Sequence, residues 1–446
     1  MGTAAAKQSG PSVTVSFLLG GFVSGIAALS YSEMASMIPI AGSAYTYAYA
    51  SIGELAAWII GWDLILEYLV GAATVSVGWS SYMTAFMKDA FNLTLEPKWT
   101  NAPVSWEKDS FTFSDSYFNA PAFFISVVVS VTIYFGIHTT AKINNYLVAF
   151  KVLVLIIIIF SMIPFIKPAN YQPYIPEETG GVKGMLQGAS TVFFAYIGFD
   201  SVSTTAQEAK EPQVNLPVGI MATIVISTIL YVGISVVTVG VAPYKELGGD
   251  SPMVDAVRMT NMKWLVVLTE LGALAATTSV ILVLLIAQPR VFYSMANDGL
   301  IPRVFAKVHP NHKTPYVSTI VTGTLCAICG GFLPIDVLSD ISSVGTIFAY
   351  FVVNIGVIIL RYTRKTAPRR FKVPGEVNNP RMIIDEPMRV LHENYSVDDG
   401  SYHGYTDDDL RQQYSRQVAR RMQYDRPRSG YYDSRRASRA EDTNAE

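Results

Sequence analysis

The chain has 446 residues, of which 50% are hydrophobic and 15% are charged, with a formal net charge of −2. This balance is too apolar for a soluble protein of this length, and nothing in it indicates a nucleic-acid partner. Membrane proteins are therefore the favoured class. The two cysteines, Cys326 and Cys329, lie in an apolar run, which favours small residues inside a helix over a disulfide, metal or redox site.

Nine apolar stretches meet or approach the length of about 20 residues that a helix needs to cross a bilayer core. In chain order they are residues 12–37, 53–87, 120–137, 145–166, 184–199, 217–242, 264–294, 316–333 and 336–362. The sequence therefore predicts an all-α polytopic membrane protein with about nine transmembrane helices. Residues 42–52 are predicted to form a helix at the membrane interface, and Pro217 is predicted to lie in a first turn.

Basic residues predict how the helices are oriented. They cluster from Arg361 to Lys372, after the ninth stretch, and again before the eighth stretch, so both regions are predicted to be cytosolic. Counting back along the chain places the N-terminus and residues 88–119 outside. That outer loop contains the sequon that begins at Asn92, which is therefore a predicted glycosylation site.

Composition divides the chain into three regions. Residues 1–11 form an N-terminal segment that is extracellular or truncated, residues 12–375 form the transmembrane domain, and residues 376–446 form a tail. The tail is rich in Asp, Arg, Ser and Tyr and carries little apolar material, so it is predicted to be disordered and cytosolic. It either remains solvated or binds cytosolic partners.

The fifth stretch carries the most informative pattern. An aromatic run meets a glycine and then an acidic residue in the order Phe194, Ala195, Tyr196, Ile197, Gly198, Phe199 and Asp200. Polar residues before the expected end of a span are typical of a discontinuous membrane helix, whose freed backbone groups are tolerated beside protein or a water-filled cavity. Freed N–H groups suit a carboxylate and freed carbonyls suit an ammonium group, and an amino acid offers both. The alternative is a short helix followed by a polar loop.

Other polar residues inside the stretches are further candidates, because each is costly in hydrocarbon. Lys151 either exchanges a proton during transport, in place of a bound sodium ion, or extends to the cytosolic interface. Glu67, on the same helix face as Asp63, is its candidate partner. Thr278 and Ser279 either coordinate a substrate or cation or bond to their own helix. The chain has no HExxH, GxSxG or GxxxxGK motif, so it predicts no enzyme, cofactor or metal site.

Four strings resemble the amino acid, polyamine and organocation transporter superfamily, and most closely its cationic amino acid transporter branch. They are YSEMASMIPIAGS at 31–43, GWDLILEY at 61–68, FAYIGFD at 194–200 and QPRVFYSMANDGLIP at 288–302. The resemblance implies a LeuT-like fold of two inverted repeats, with the substrate between two broken helices. It also implies that residues 194–199 line the amino-acid site, that Lys151 matches the lysine of proton-coupled members and that Glu67 matches their helix-three carboxylate.

The resemblance covers residues 10–375 and implies departures at both ends. Residues 1–10 match only the connection after the first helix of the family, and the polar tail begins where most relatives continue with further helices. We expect a secondary transporter of amino acids, with cationic ones suggested by the branch, that works by proton coupling or exchange. The plasma membrane and the vacuolar or lysosomal membrane both fit. The alternative is a non-transporting truncated isoform, or a scaffold, that associates with an intact transporter.

Overall fold

The computed structural model describes residues 1–107, 110–249, 251–310, 314–364 and 367–374. The predicted tail lies outside these ranges. Within them the chain forms α1 (Val13–Met37), α2 (Ala44–Ser51), α3 (Glu54–Phe91), α4 (Ala120–Tyr134), α5 (Ile137–Met162), α6 (Gly181–Phe193), α7 (Pro212–Val241), α8 (Pro252–Arg258), α9 (Lys263–Asn297), α10 (Tyr316–Phe332) and α11 (Ile335–Thr363). An antiparallel hairpin of β1 (Val104–Glu107) and β2 (Ser110–Phe113) lies between α3 and α4.

Length and apolarity identify most of these helices as membrane spans. Six helical segments among the described residues are long and apolar enough to cross a bilayer, namely those that contain α1, α3, α5, α7, α9 and α11. The helices α4 and α10 are apolar but shorter, and α6 ends early at an interruption. Each of the nine predicted stretches therefore contains a helix, and the predicted helical polytopic membrane protein is confirmed.

Some boundaries differ from the sequence prediction. The helix α5 begins at Ile137 and so includes polar residues that precede its apolar stretch. One of them, Asn144, accepts a hydrogen bond of 2.7 Å from Ser279 of α9, which fixes this early part of the helix. The helix α7 begins at Pro212, so the prediction that Pro217 lies in a first turn was wrong. The predicted interfacial helix is present as α2, which packs against α3 and α11.

The long helices pack in two groups. In the first, α1 packs along both α6 and α7. In the second, α3 packs along α9 and also contacts α4 and α10. The helix α5 contacts α7 and α9, while α11 contacts α1 and α3, so these two helices join the groups. Several buried polar residues, among them Glu67, Asp200 and Thr346, lie on α3, on the segment after α6 and on α11.

The predicted cytosolic end of α1 is tied to the chain that follows α11. Glu33 of α1 is 1% exposed, and its carboxylate accepts two hydrogen bonds from Arg361, at 2.6 and 3.2 Å. The same carboxylate accepts a hydrogen bond of 2.9 Å from the backbone N–H of Val373. Ser36, one turn further on, exchanges hydrogen bonds with the backbone of Phe371. Residues 367–374 therefore form a strap across the end of α1.

Candidate functional site

The backbone is interrupted immediately after α6. The helix ends at Phe193, a single 3₁₀ turn follows, and Ile197 is extended with ψ of 140°. Gly198 then adopts φ of 107° and ψ of −6°, a left-handed conformation that favours glycine. A 3₁₀ segment, Phe199–Glu208, continues the chain. The α-helical hydrogen bonds therefore stop in the middle of the predicted fifth span, as the discontinuous-helix interpretation requires.

Open space lies beside this break. A Cβ atom added at Gly198 would meet no described atom within 4 Å apart from its chain neighbours. The side chain of Tyr196 is buried, whereas Ala195 is exposed and Phe194, Ile197 and Gly198 are half-buried. The break is thus reachable, and it is not sealed by packing on all sides.

Two neighbouring helices brace the break. The hydroxyl of Tyr231 in α7 donates a hydrogen bond of 3.0 Å to the carbonyl oxygen of Ala195. In the other direction, the buried hydroxyl of Tyr196 donates a hydrogen bond of 2.8 Å to the carbonyl oxygen of Phe17 in α1. Backbone groups freed in a membrane need such partners, because lipid offers none. The bracing leaves the interruption ordered.

Aromatic rings join the break to α1 and α11. The ring of Phe199 lies 5.6 Å from that of Tyr31 in α1 and 5.1 Å from that of Tyr350 in α11. Phe193, at the end of α6, lies 6.0 Å from the same Tyr350. Both tyrosines are buried, yet neither hydroxyl has a hydrogen-bond partner among the described residues. A buried hydroxyl without a partner is costly, so these two hydroxyls are candidates for a hydrogen bond to a ligand or water.

An acidic cluster, Asp63, Glu67 and Asp200, lies next to these tyrosines. Glu67 is 2% exposed, accepts a hydrogen bond of 2.6 Å from Thr346 of α11 through Oε1, and has no partner at Oε2 within the described part of the chain. Asp200 is fully buried and accepts a hydrogen bond from the hydroxyl of Tyr68 through Oδ2. Its other oxygen, Oδ1, accepts no hydrogen bond from the described residues.

Glu67 interacts electrostatically with both Asp200 and Asp63. Oδ2 of Asp63 also has no partner among the residues described. Buried carboxyl groups that face each other remain acceptable only when protonated or when a cation joins them. Within the described ranges, no salt bridge reaches any of the three. The cluster can therefore take up a proton or receive a cationic group.

The structure does not bring Lys151 to Glu67. Lys151 is half-buried on α5, about four turns after the helix begins, and it forms no hydrogen bond or ion pair with the described residues. Its helix packs on α7 and α9, whereas Glu67 contacts α11. Lys151 and Glu67 therefore lie at separate places, and they do not pair directly in this conformation.

The other predicted site residues lie in ordinary helix contacts. The hydroxyl of Thr278 donates to the carbonyl oxygen of Leu274, four residues earlier, and accepts from the indole of Trp79. Ser279 donates to Asn144. Asn92 caps the end of α3 in a left-handed conformation and is exposed, as a glycosylation site needs to be.

Sequence reasoning missed part of this constellation. Tyr31 and Tyr68 lie inside the strings that carry the family resemblance, but nothing in the strings themselves shows that their side chains meet Asp200. Thr346 and Tyr350 lie in an apolar stretch without any local signal. Only the packing of α11 against α1 and α3 reveals them.

Comparisons with known proteins add to the geometry. A family model described as amino acid permease matches residues 1–384. The branched-chain amino acid permease BcaP of Bacillus subtilis is 41% identical over 380 residues, which are 85% of this chain and 80% of that protein. The methylthioribose transporter of the same organism is 38% identical over 373 residues, 84% of this chain and 78% of that protein. The vacuolar cationic amino acid transporter 4 of Arabidopsis thaliana is 33% identical over 407 residues, 89% of this chain and 64% of that protein.

Proposed function

Because the chain belongs to the amino acid permease family, we propose that it carries an amino acid across a membrane while holding it at the break around residues 194–199. Family membership assigns an integral membrane transporter rather than an enzyme. The observation that carries the finer proposal is the left-handed Gly198 with open space beside it, halfway along an otherwise helical span.

The two ends of the break match the two charges of an amino acid. The start of the 3₁₀ segment after Gly198 presents N–H groups that attract a carboxylate, and the last turn of α6 presents carbonyls that attract an ammonium group. The oxygens of the acidic cluster that have no partner among the described residues can accept hydrogen bonds from a cation. A zwitterion would thus satisfy groups that the described residues leave unsatisfied.

The acidic cluster also favours a basic side chain. A branched apolar side chain would leave Glu67 and Asp200 without a cation, whereas a lysine or arginine side chain could place one beside them. Relatives differ in the substrates that their names give: branched-chain amino acids for the permease from B. subtilis and cationic amino acids for the transporter from A. thaliana. We therefore propose cationic amino acids as the better substrates.

For energy coupling we propose a proton, or exchange of one amino acid for another. Lys151 is half-buried without a charged partner in the described residues, so it can gain and lose a proton as its surroundings change during transport. Glu67 is the second candidate because of its oxygen without a partner. The two would act at separate places.

Uptake into proteoliposomes tests the proposed site. Gly198→Leu should abolish saturable uptake of labelled lysine or arginine, because a side chain would enter the open space and φ of 107° is strained for any residue but glycine. The matched control is Gly219→Leu in α7, where an added Cβ also meets nothing within 4 Å but φ is not left-handed. Equal activity of the two variants would exclude residues 194–199 as the site.

Substrate class and coupling are separated in the same vesicles. Lysine should compete with labelled arginine more strongly than leucine does, and the reverse order would exclude the cationic preference.

Lys151→Ala should leave uptake that no longer responds to an imposed pH gradient, with Gly219→Leu again as the control. If folded protein moved no amino acid under any gradient or in exchange, a non-transporting role as a scaffold would replace the proposal.

A further inference from the structure

Two neighbouring helices are too short to cross a bilayer alone. The helices α4 and α10 have 15 and 17 residues. They are therefore about 22 and 25 Å long, against a hydrocarbon core of about 30 Å. They pack together, and the backbone N–H of Asn119, just before α4, donates a hydrogen bond to the carbonyl oxygen of Gly331 near the end of α10. Their ends on this side, the predicted outer side, lie at the same level.

An aromatic stack continues directly from those two ends. The ring of Phe118 lies 6.0 Å from Phe332 of α10 and 6.1 Å from Phe123 of α4. Trp99 lies 5.5 Å from Phe118, and Tyr117 lies 5.1 Å from Trp99. Both Trp99 and Tyr117 are exposed. The stack therefore extends the apolar surface of the short helices beyond their last turns.

The hairpin of β1 and β2, which lies between Trp99 and Tyr117 in the chain, has one aromatic face and one polar face. Trp106 and Phe111 are cross-strand partners with rings 4.7 Å apart, and Phe113 lies on the same face. Phe113 is 88% exposed, which is unusual for an ordered aromatic side chain. On the opposite face, Ser105 and Thr112 join their hydroxyls in a hydrogen bond of 2.7 Å.

We propose that these side chains form an outer aromatic cap that rests in the interfacial region of the phospholipid bilayer and completes the spans of α4 and α10. The cap consists of Trp99, Trp106, Phe111, Phe113 and Tyr117. Its occupant is the layer of lipid headgroups and upper acyl chains, where amphipathic aromatic rings are enriched.

Continuity with the lipid-facing surface argues for lipid rather than a protein partner. Phe124 of α4 and Phe332 of α10 are exposed on the flank of the bundle, and the stack continues from Phe332. Along the chain, the hairpin lies between two residues of the stack, Trp99 and Tyr117. Each of the two helices is also about 5 to 8 Å shorter than the hydrocarbon core, and an interfacial cap would supply that length. Lys98, 6.0 Å from the ring centre of Tyr117, places a positive charge where phosphate groups would lie.

Spin labels on the two faces of β2 test this placement. A nitroxide is attached to Phe113→Cys or, as the matched control, to Thr112→Cys in full-length protein that also carries Cys326→Ala and Cys329→Ala. The protein is placed in bilayer nanodiscs, and collisions with oxygen and with a water-soluble nickel chelate are measured.

The label at position 113 should show the higher ratio of oxygen to nickel accessibility. Equal ratios, or a label at 113 that neither reagent reaches, would overturn the proposal, the latter by indicating a second copy or another protein on this face.

A second measurement tests whether the cap compensates for helix length. The double variant Trp106→Ser, Phe113→Ser should lower the thermal unfolding midpoint more in bilayers of long acyl chains than in bilayers of short ones, because mismatch grows with thickness. Thr112→Ala is the control and should show no dependence on thickness. A decrease in the unfolding midpoint of the same size in both bilayers would show that the cap does not compensate for the short lengths of α4 and α10. Neither measurement depends on transport, so the cap and the proposed function are tested separately.

Discussion

Two buried glutamates of this molecule differ in how completely they are satisfied. Glu33 at the strap and Glu67 beside the break are 1% and 2% exposed. Glu33 receives two hydrogen bonds from Arg361 and a third from the backbone of Val373. Glu67 receives one hydrogen bond, from Thr346, and its second oxygen has no partner in the part of the chain that the structure describes.

The difference separates a carboxylate that the fold satisfies from one that has an oxygen without a partner among the described residues. A buried charge is stable when a cation and hydrogen bonds compensate it, and Glu33 meets both conditions. Glu67 has only the hydrogen bond from Thr346, and the hydroxyls of two buried tyrosines near it, Tyr31 and Tyr350, also lack partners among the described residues. Incomplete satisfaction thus coincides with the candidate site. Four substitutions follow, ordered by the size of the expected change in the free energy of unfolding.

The largest effect is expected for Glu33→Ala. Removing this carboxylate takes away the anion that pairs with Arg361 and the acceptor of the Val373 N–H, so the free energy of unfolding in detergent should fall by about 3 kcal/mol. The double variant Glu33→Leu, Arg361→Leu should lose less, because the charge of Arg361 is removed together with its partner and only the longer contact of 3.8 Å from Arg369 to Glu33 is lost without compensation. Unfolding that matches the unsubstituted protein would show that the strap contributes nothing to stability.

A smaller loss is expected for Tyr68→Phe. This change removes the hydroxyl that donates to Asp200 and should cost about 1–3 kcal/mol in denaturant unfolding, because a buried acceptor loses its partner. Tyr31→Phe provides the control, since the hydroxyl of Tyr31 bonds to none of the described residues. Equal losses in the two variants would contradict the assigned hydrogen bond.

Glu67→Gln should change function more than stability. The amide oxygen can still accept from Thr346 while the uncompensated charge disappears, so the free energy of unfolding should not fall. Uptake should nevertheless be lost, if this group holds a proton or a cation. Both quantities are measured on one preparation by thermal unfolding and vesicle uptake. A stability loss comparable to that of Glu33→Ala would remove the distinction between the two glutamates.

The smallest effect is expected for an exposed ion pair. Lys245 lies 2.6 Å from Glu178, and its hydrogen bond lowers the pKa of Glu178, while Glu178 raises the pKa of Lys245. The lowered pKa means that any contribution of Glu178 is present above its ordinary value of 4.5 and is lost as the pH falls through the lowered value. Because both side chains are solvated, Glu178→Gln should leave the unfolding midpoint unchanged at neutral pH. A measurable shift that disappears in high salt would show that the pair matters.

The positions of the helices could be predicted because burial in lipid imposes a length and a composition that the sequence displays. The interruption after Phe193 was also predictable, since Gly198 and Asp200 appear too early in their span. The start of α5 was not, because the polar residues before its apolar part are helical through contacts such as that of Asn144 with α9. Hydropathy predicts which residues lie in the membrane, but it does not predict the hydrogen bonds that extend a helix beyond the apolar residues.

The acidic cluster could be predicted only in pieces. Glu67 and Asp200 each appear as polar residues in apolar stretches, but the sequence does not show that they face each other. Thr346, which donates a hydrogen bond to Glu67, follows it by 279 residues along the chain. The pairing of Lys151 with Glu67 was inferred from residue type, and packing of α5 on other helices separates them. Contacts across helices depend on tertiary packing.

The two tyrosine braces constrain how the molecule could change shape. Tyr231 ties α7 to the carbonyl of Ala195, and Tyr196 ties the same turn to α1. Any motion that keeps both hydrogen bonds must carry α1, α7 and the end of α6 as a single rigid body. The surfaces that slide would then be those that this body shares with α5 and α11. A crosslink between positions 31 and 350, on α1 and α11, would report whether the body has turned.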